Sequence, residues 1–154
     1  MRKGPRLGVD VGTVRVGVAR SDAEGLMAVP VETVPRESAL ASIAAMVAEW
    51  NPLEVIVGLP LSLRGSSTAS TQDAQLFAER LASMVSVPVR MIDERLSTVQ
   101  AEAGFREAGR SQKSQRRVID QAAAVILLQH ALDSERAQGV APGHRVDVSG
   151  SSND

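Results

Sequence analysis

Hydrophobic and polar positions alternate from the start of the chain. Leu7, Val9 and Val11, then Val14, Val16 and Val18, fall at the two-residue period of a strand, with small or polar residues between them. Two strands joined at Gly12 and Thr13 follow from that pattern. After a polar turn at residues 21–25, residues 26–34 read as a third strand. Pro30 lies within it and cannot donate to a ladder, which points to a sheet edge. Short turns link all three strands, so an antiparallel meander is the simplest pairing. From Glu37 the period becomes helical: Leu40, Ile43, Met46, Val47 and Trp50 form an apolar stripe that Asn51 and Pro52 end.

The pattern then changes twice more. Residues 54–59, EVIVGL, are a short and almost wholly apolar strand, as expected for one buried on both faces. A polar loop over residues 61–70 leads to a second helix, capped at Ser70 or Thr71, with Leu76, Phe77, Leu81 and Met84 on its apolar stripe. Residues 89–93 form a fifth strand, and Ser97 with Gln100 makes a capping box for a helix that stops near Gly109. Residues 109–117 contain no apolar side chain and read as a mobile loop. The last helix is expected from near Val118 to about Gln138, with Gly139 as its stop. Its centre is apolar nearly all round, so it should pack deep against the sheet, and His130 on it reads as a packed core residue. Residues 1–139 then make one domain, and 140–154, which include His144, a tail disordered by composition.

This order predicts an α/β fold with a mixed five-stranded sheet, three antiparallel strands followed by two parallel ones, and helices on both faces. The loops after strands one, four and five open at a common edge, which brings Asp10 and Glu94 together.

Composition narrows the chemistry. A chain of 154 residues with 44% hydrophobic and 23% charged residues is an ordinary globular domain. Aromatic residues are only 2%, which disfavours binding single strands by stacking bases on aromatic platforms. A net charge of −1 means that any nucleic-acid role needs a local basic patch. Without cysteine there is no thiolate zinc site, disulfide or cysteine nucleophile. No apolar run is long enough to span a membrane and the N-terminus lacks a signal peptide's apolar stretch, so a cytoplasmic protein is expected.

Three acids stand where an acid is unexpected: Asp10 among strand valines, Glu94 at the end of strand five, and Asp120 at the first turn of an apolar helix. Singly, each has an ordinary explanation, such as helix-dipole placement for Asp120 or pairing of Glu94 with Arg95. Asp93 should point to the other side of its strand, and Asp22 and Asp73 suit turn and cap positions. Convergence of the three on one sheet edge changes the balance. Carboxylates without His or Cys suit Mg²⁺ or Mn²⁺, ions able to drive phosphodiester hydrolysis. Arg106, Arg110, Lys113, Arg116 and Arg117 form the local excess of positive charge just before Asp120, and Arg15 and Arg64 can join the same rim to bind nucleic acid. A solvated charged face is the commoner meaning of such a run.

The segments VDVGTVRVGVA, VIVGLPL, DERLST and IDQAAAVILLQ, in this order and spacing, resemble the YqgF or RuvX family over roughly residues 5 to 135. The resemblance implies an RNase H-like fold and a metal-dependent nuclease, with members linked to 5′-end maturation of pre-16S rRNA and, through RuvC, to cleavage of four-way junctions. The family's acidic positions fall on Asp10, Glu94 and Asp120. Where the RuvC group has a second aspartate one turn along the final helix, this chain has Ala123 and Ala124. Three expectations result: a nuclease on structured RNA, a homodimeric resolvase of branched DNA, and a non-catalytic RNA-binding factor on the same fold.

Overall fold

The computed structural model describes residues 1–94 and 112–147, with side chains of 112–120 left aside. Its elements are β1 (Arg6–Val11), β2 (Arg15–Ser21), β3 (Ala28–Pro35), α1 (Arg36–Trp50), β4 (Glu54–Leu59), α2 (Ala69–Met84), β5 (Val89–Asp93), α3 (Gln112–Gln138) and β6 (His144–Arg145). The described strands form one sheet in the order β3-β2-β1-β4-β5-β6. The meander β1-β2-β3 is antiparallel, and β4 and β5 continue parallel to β1. As the proline predicts, β3 is an edge strand, and the ladder shifts register beside Pro30, between Val18 and Ala19.

Strand alternation divides the core between the two faces. Leu7, Val9, Val16, Val18, Val55 and Val57 face α1 and α2, packing against Ile43, Phe77 and Leu81. Ile56, Ile92 and Ala19 face α3, against Leu127, Leu128 and Leu132. Gly8 belongs to this second face, where a Cβ would lie 2.8 Å from Leu128 Cβ and 3.1 Å from the Ala124 carbonyl. Only a glycine lets α3 come this close to β1.

Four expectations are corrected. Residues 140–147 are not a disordered tail: β6 pairs antiparallel with β5, Val146 N–H donates to Val89 O (2.8 Å), and Arg90 Nε donates to Pro142 O (2.7 Å). Backbone pairing on an open sheet edge orders a segment whose composition alone would not, and the sheet gains a sixth strand. The last helix is already present at Gln112, within the segment expected as a loop, since Gln, Lys and Arg are good helix formers and these turns need no apolar residue. The cap of α2 is Thr68, in a reciprocal capping box with Thr71, and Thr71 Oγ also donates to Pro60 O. His130 is exposed, lying on the flank of α3. The helix expected at 97–109 lies outside the described residues. No helix among the described residues is long and apolar enough to cross a membrane.

Candidate functional site

Asp10 is the fifth residue of β1 and lies on the same face as Gly8, toward α3. It is half-buried. The parallel register pairs Val9 with Val57 and Leu59 with Asp93, so the ends of β1, β4 and β5 meet at one edge. Glu94 follows β5 directly, its N–H donating to Leu59 O at 3.4 Å, and it is 8% exposed. Its carboxyl reaches across β4 and hydrogen-bonds Asp10. What makes room for it is Gly58, where a Cβ would stand 2.1 Å from Glu94 Oε2. A glycine inside an otherwise apolar strand is the sequence signal of such a close approach.

Burial raises the Glu94 carboxyl first, and the charges of Asp10 and Asp93 and the hydrogen bond to Asp10 raise it further, to about 9. At neutral pH one proton is shared within the pair, with Glu94 as its donor. A cation in the proton's place would restore full negative charge to both groups.

Asp120 lies in α3, one turn before Ala124. The helix passes Gly8 at Ala124 and Leu128 and reaches Arg6 at Glu135, so its earlier turns lead toward the Asp10 end of β1. The Asp120 side chain is outside the described residues, as are those of Lys113, Arg116 and Arg117, which the helix also carries. Arg106 and Arg110 fall entirely outside them. Among the described basic residues, Arg15 is half-buried at the start of β2 and Arg64 is exposed in the loop after β4, on the edge that holds Asp10 and Glu94.

The β1-β2 turn is held from below. Gly12 N–H donates to Arg15 O at 2.9 Å, and a Cβ on Gly12 would stand 2.4 Å from that oxygen. Arg36 Nη1 donates to Gly12 O (2.9 Å) and the guanidinium makes a bidentate pair with Asp73 (2.7 and 2.8 Å) over the Phe77 ring. Asp73 thus ties α2 to the turn beside Asp10 rather than capping its helix.

A mixed sheet of antiparallel β1-β2-β3 continued by β4 and β5 parallel to β1 and edged by β6, with a long helix across one face, is an RNase H-like fold. Solved structures agree on the fold. RuvC of Thermus thermophilus in complex with a Holliday junction substrate matches with a TM-score of 0.55 at 20% identity, covering 87% of this chain and 96% of that one. Thermus thermophilus RuvC in a second structure matches at 0.52 and 19% identity. The chain belongs to the RuvX family: the family model described as Holliday junction resolvase matches residues 4–134. Relatives named "Putative pre-16S rRNA nuclease" include one from Clavibacter michiganensis, 56% identical over 93% of this chain and 91% of its own length. Another from Leifsonia xyli is 55% identical over 96% and 97%, and one from Streptomyces avermitilis 49% identical over 96% and 97%.

Proposed function

We propose that the chain is a divalent-metal-dependent endonuclease that hydrolyses phosphodiester bonds in structured RNA, with the 5′ leader of pre-16S rRNA as substrate. The observation that carries this reading is the Glu94 carboxyl, buried against Asp10 in a space that only Gly58 leaves open. Two carboxyls pressed together away from solvent destabilise the fold, and such groups gather where a site uses them. An all-oxygen donor set fits a hard cation, Mg²⁺ or Mn²⁺, and Asp10, Glu94 and Asp120 would hold it. When bound, it supplies the charge that lowers the pKa of an attacking water and neutralises the leaving oxygen.

The chain's own groups do the rest. The Arg36–Asp73 pair fixes the turn after Asp10, and so the carboxylate's place at the sheet edge. Arg15 and Arg64 with the basic run at Arg106, Arg110, Lys113, Arg116 and Arg117 would bind the phosphate backbone and orient it over the acids. The names of the relatives support a nuclease that acts on rRNA, and the family description supports a nuclease acting on nucleic acid.

The second reading is junction resolution, favoured by the fold's likeness to RuvC in complex with a Holliday junction. It requires a homodimer to present two sites to symmetric strands. Incubating the chain with a pre-16S leader transcript and a four-way DNA junction, each in Mg²⁺ and Mn²⁺ with an Asp10→Asn control, tests both. Cleavage of the RNA that the control abolishes is the expected result. Cutting of the junction alone favours the second reading, and binding without cutting of either makes the chain a non-catalytic RNA-binding factor.

A further inference from the structure

Two turns extend past the strand ends that carry the acid pair, and each is tightly built. In the β1-β2 turn, three carbonyls are tied down: Arg36 Nη1 donates to Gly12 O, the Arg36 N–H to Val14 O and the Gly12 N–H to Arg15 O, all at 2.9 Å. In the loop after β4, Ser62 organises the second turn. Its N–H donates to Ser66 O (3.0 Å), its carbonyl accepts from the Gly65 N–H (2.8 Å), and its Oγ accepts from the Ser66 N–H (3.0 Å). Gly65 has φ +84°, a conformation that glycine adopts without strain.

Both tips display an apolar side chain where turns favour polar ones. Val14 is 67% exposed and Leu63 82%. One exposed apolar residue is ordinary. Here the arrangement occurs twice, and an arginine follows each time, Arg15 and Arg64. Val14 lies four residues after Asp10 on β1. Leu63 lies four residues after Leu59, the end of β4, whose carbonyl accepts the Glu94 N–H (3.4 Å). The tips thus continue the two strands over which the Asp10 and Glu94 carboxyls meet.

An apolar tip beside a cation suits a nucleic-acid strand, in which charged phosphates alternate with the apolar faces of sugars and bases. Apolar side chains pressed between bases unstack them and kink the strand. Such a wedge must be stiffer than the stack it opens, and the hydrogen bonds of both turns provide that. The aromatic rings among the described residues, Trp50 and Phe77, each carry an arginine on the face, Arg20 and Arg36. We infer that Val14 and Leu63 are wedge residues that unstack the nucleotides flanking the phosphate held at the Asp10–Glu94 edge. The inference rests on the nuclease reading of that edge and deepens it: a strand already loosened by a bulge is a better substrate than a continuous duplex.

The test uses the full chain and RNA hairpins that carry 2-aminopurine at successive stem positions, titrated in EDTA so that no cleavage occurs. Unstacking raises the fluorescence, and a rise confined to one or two neighbouring positions is expected. Val14→Ser and Leu63→Ser should each reduce it and weaken binding about tenfold, the scale of one base contact. The double variant should abolish it. Val14→Ile and Leu63→Met stay apolar and should keep it, whereas equal loss in these would mean a merely structural role and overturn the inference. So would the absence of a rise with the unaltered chain, or a rise that survives the double variant. In Mn²⁺, a bulge placed at the mapped cleavage point should restore cleavage by the double variant, and an equal defect on bulged and continuous stems would count against a wedge. A localised rise with no cleavage in Mg²⁺ or Mn²⁺ would sink the nuclease reading and leave the wedge standing. Cleavage without a localised rise would do the reverse.

Discussion

The two ends of β1 carry buried charge on the same face and treat it in opposite ways. At the first end Arg6, 1% exposed, meets Glu135 of α3 (3.3 Å), and Arg2 bridges Glu135 (2.8 Å) and Glu54 (2.9 Å). The guanidinium of Arg6 also donates to Gly4 O and Arg2 O. Hydrogen bonds from Arg2, with the nearby positive charges, hold the Glu135 carboxyl down at about 2. Among the described residues, Arg6 Nε and Glu54 Oε1 are the buried side-chain polar atoms left without a partner. Four residues further along the strand, Asp10 faces Glu94, and the charges that act on Glu94 are negative. Opposite charges lock the first end together. Like charges at the second hold a proton, and that is the end proposed above to take a cation in the proton's place.

Breaking each end separately sharpens the contrast. Asp10→Asn should lower cleavage by about 10³-fold or more, a barrier increase of ~4 kcal/mol, while without metal the melting temperature stays level at neutral pH, where the proton on Glu94 already relieves the repulsion, and rises above about pH 9. Single-turnover cleavage and a thermal melt of the same preparation check both halves, and a clear drop in melting temperature would count against the frustrated pair. Glu135→Gln is the mirror case. It leaves Arg6 buried without its counter-charge and should cost ~3–5 kcal/mol in urea unfolding, with cleavage per folded molecule retained. Gly58→Ala sets a methyl against Glu94 Oε2 and should weaken Mn²⁺ binding by about 10–100-fold in a calorimetric titration.

The smallest effect is on pH dependence without metal. Glu94 titrates near 9 in the fold against 4.5 as an ordinary carboxyl, so the folded state holds the extra proton between those values. Stability from this end is present below about 4.5 and declines as pH rises toward 9. Glu135 runs the other way, from 4.5 down to about 2, so its contribution is present above 4.5 and is lost toward pH 2. Melting temperatures across that range should therefore peak near pH 5. Glu94→Gln should flatten the alkaline limb alone, and Glu135→Gln the acid limb alone. Added Mg²⁺ should raise the alkaline limb most, since it takes the place of the proton there.

Much of the arrangement was legible because it rests on local pattern. Valine alternation set β1 and β2, Pro30 marked the edge, and the apolar run at 54–59 marked a strand between two others. That order alone puts the ends of β1, β4 and β5 together, so the approach of Asp10 and Glu94 could be expected before any coordinates. Other features were not legible. Arg2 and Glu135 are 133 residues apart, and no periodicity connects them. The segment at 144–145 has nothing strand-like in it and is recruited by the free edge of β5. His130 looked buried because its neighbours are apolar, yet it falls on the exposed flank of the helix.

The sequence by itself determined which segments are strands and helices, their order across the sheet and the edge at which the acids meet, because these follow from side-chain period and chain connectivity. The tertiary structure decided the state of the charges. Whether a carboxyl is held down by two guanidinium groups or pushed up by burial beside a second carboxyl depends on which distant residues share its low-dielectric surroundings, and only the tertiary packing sets that.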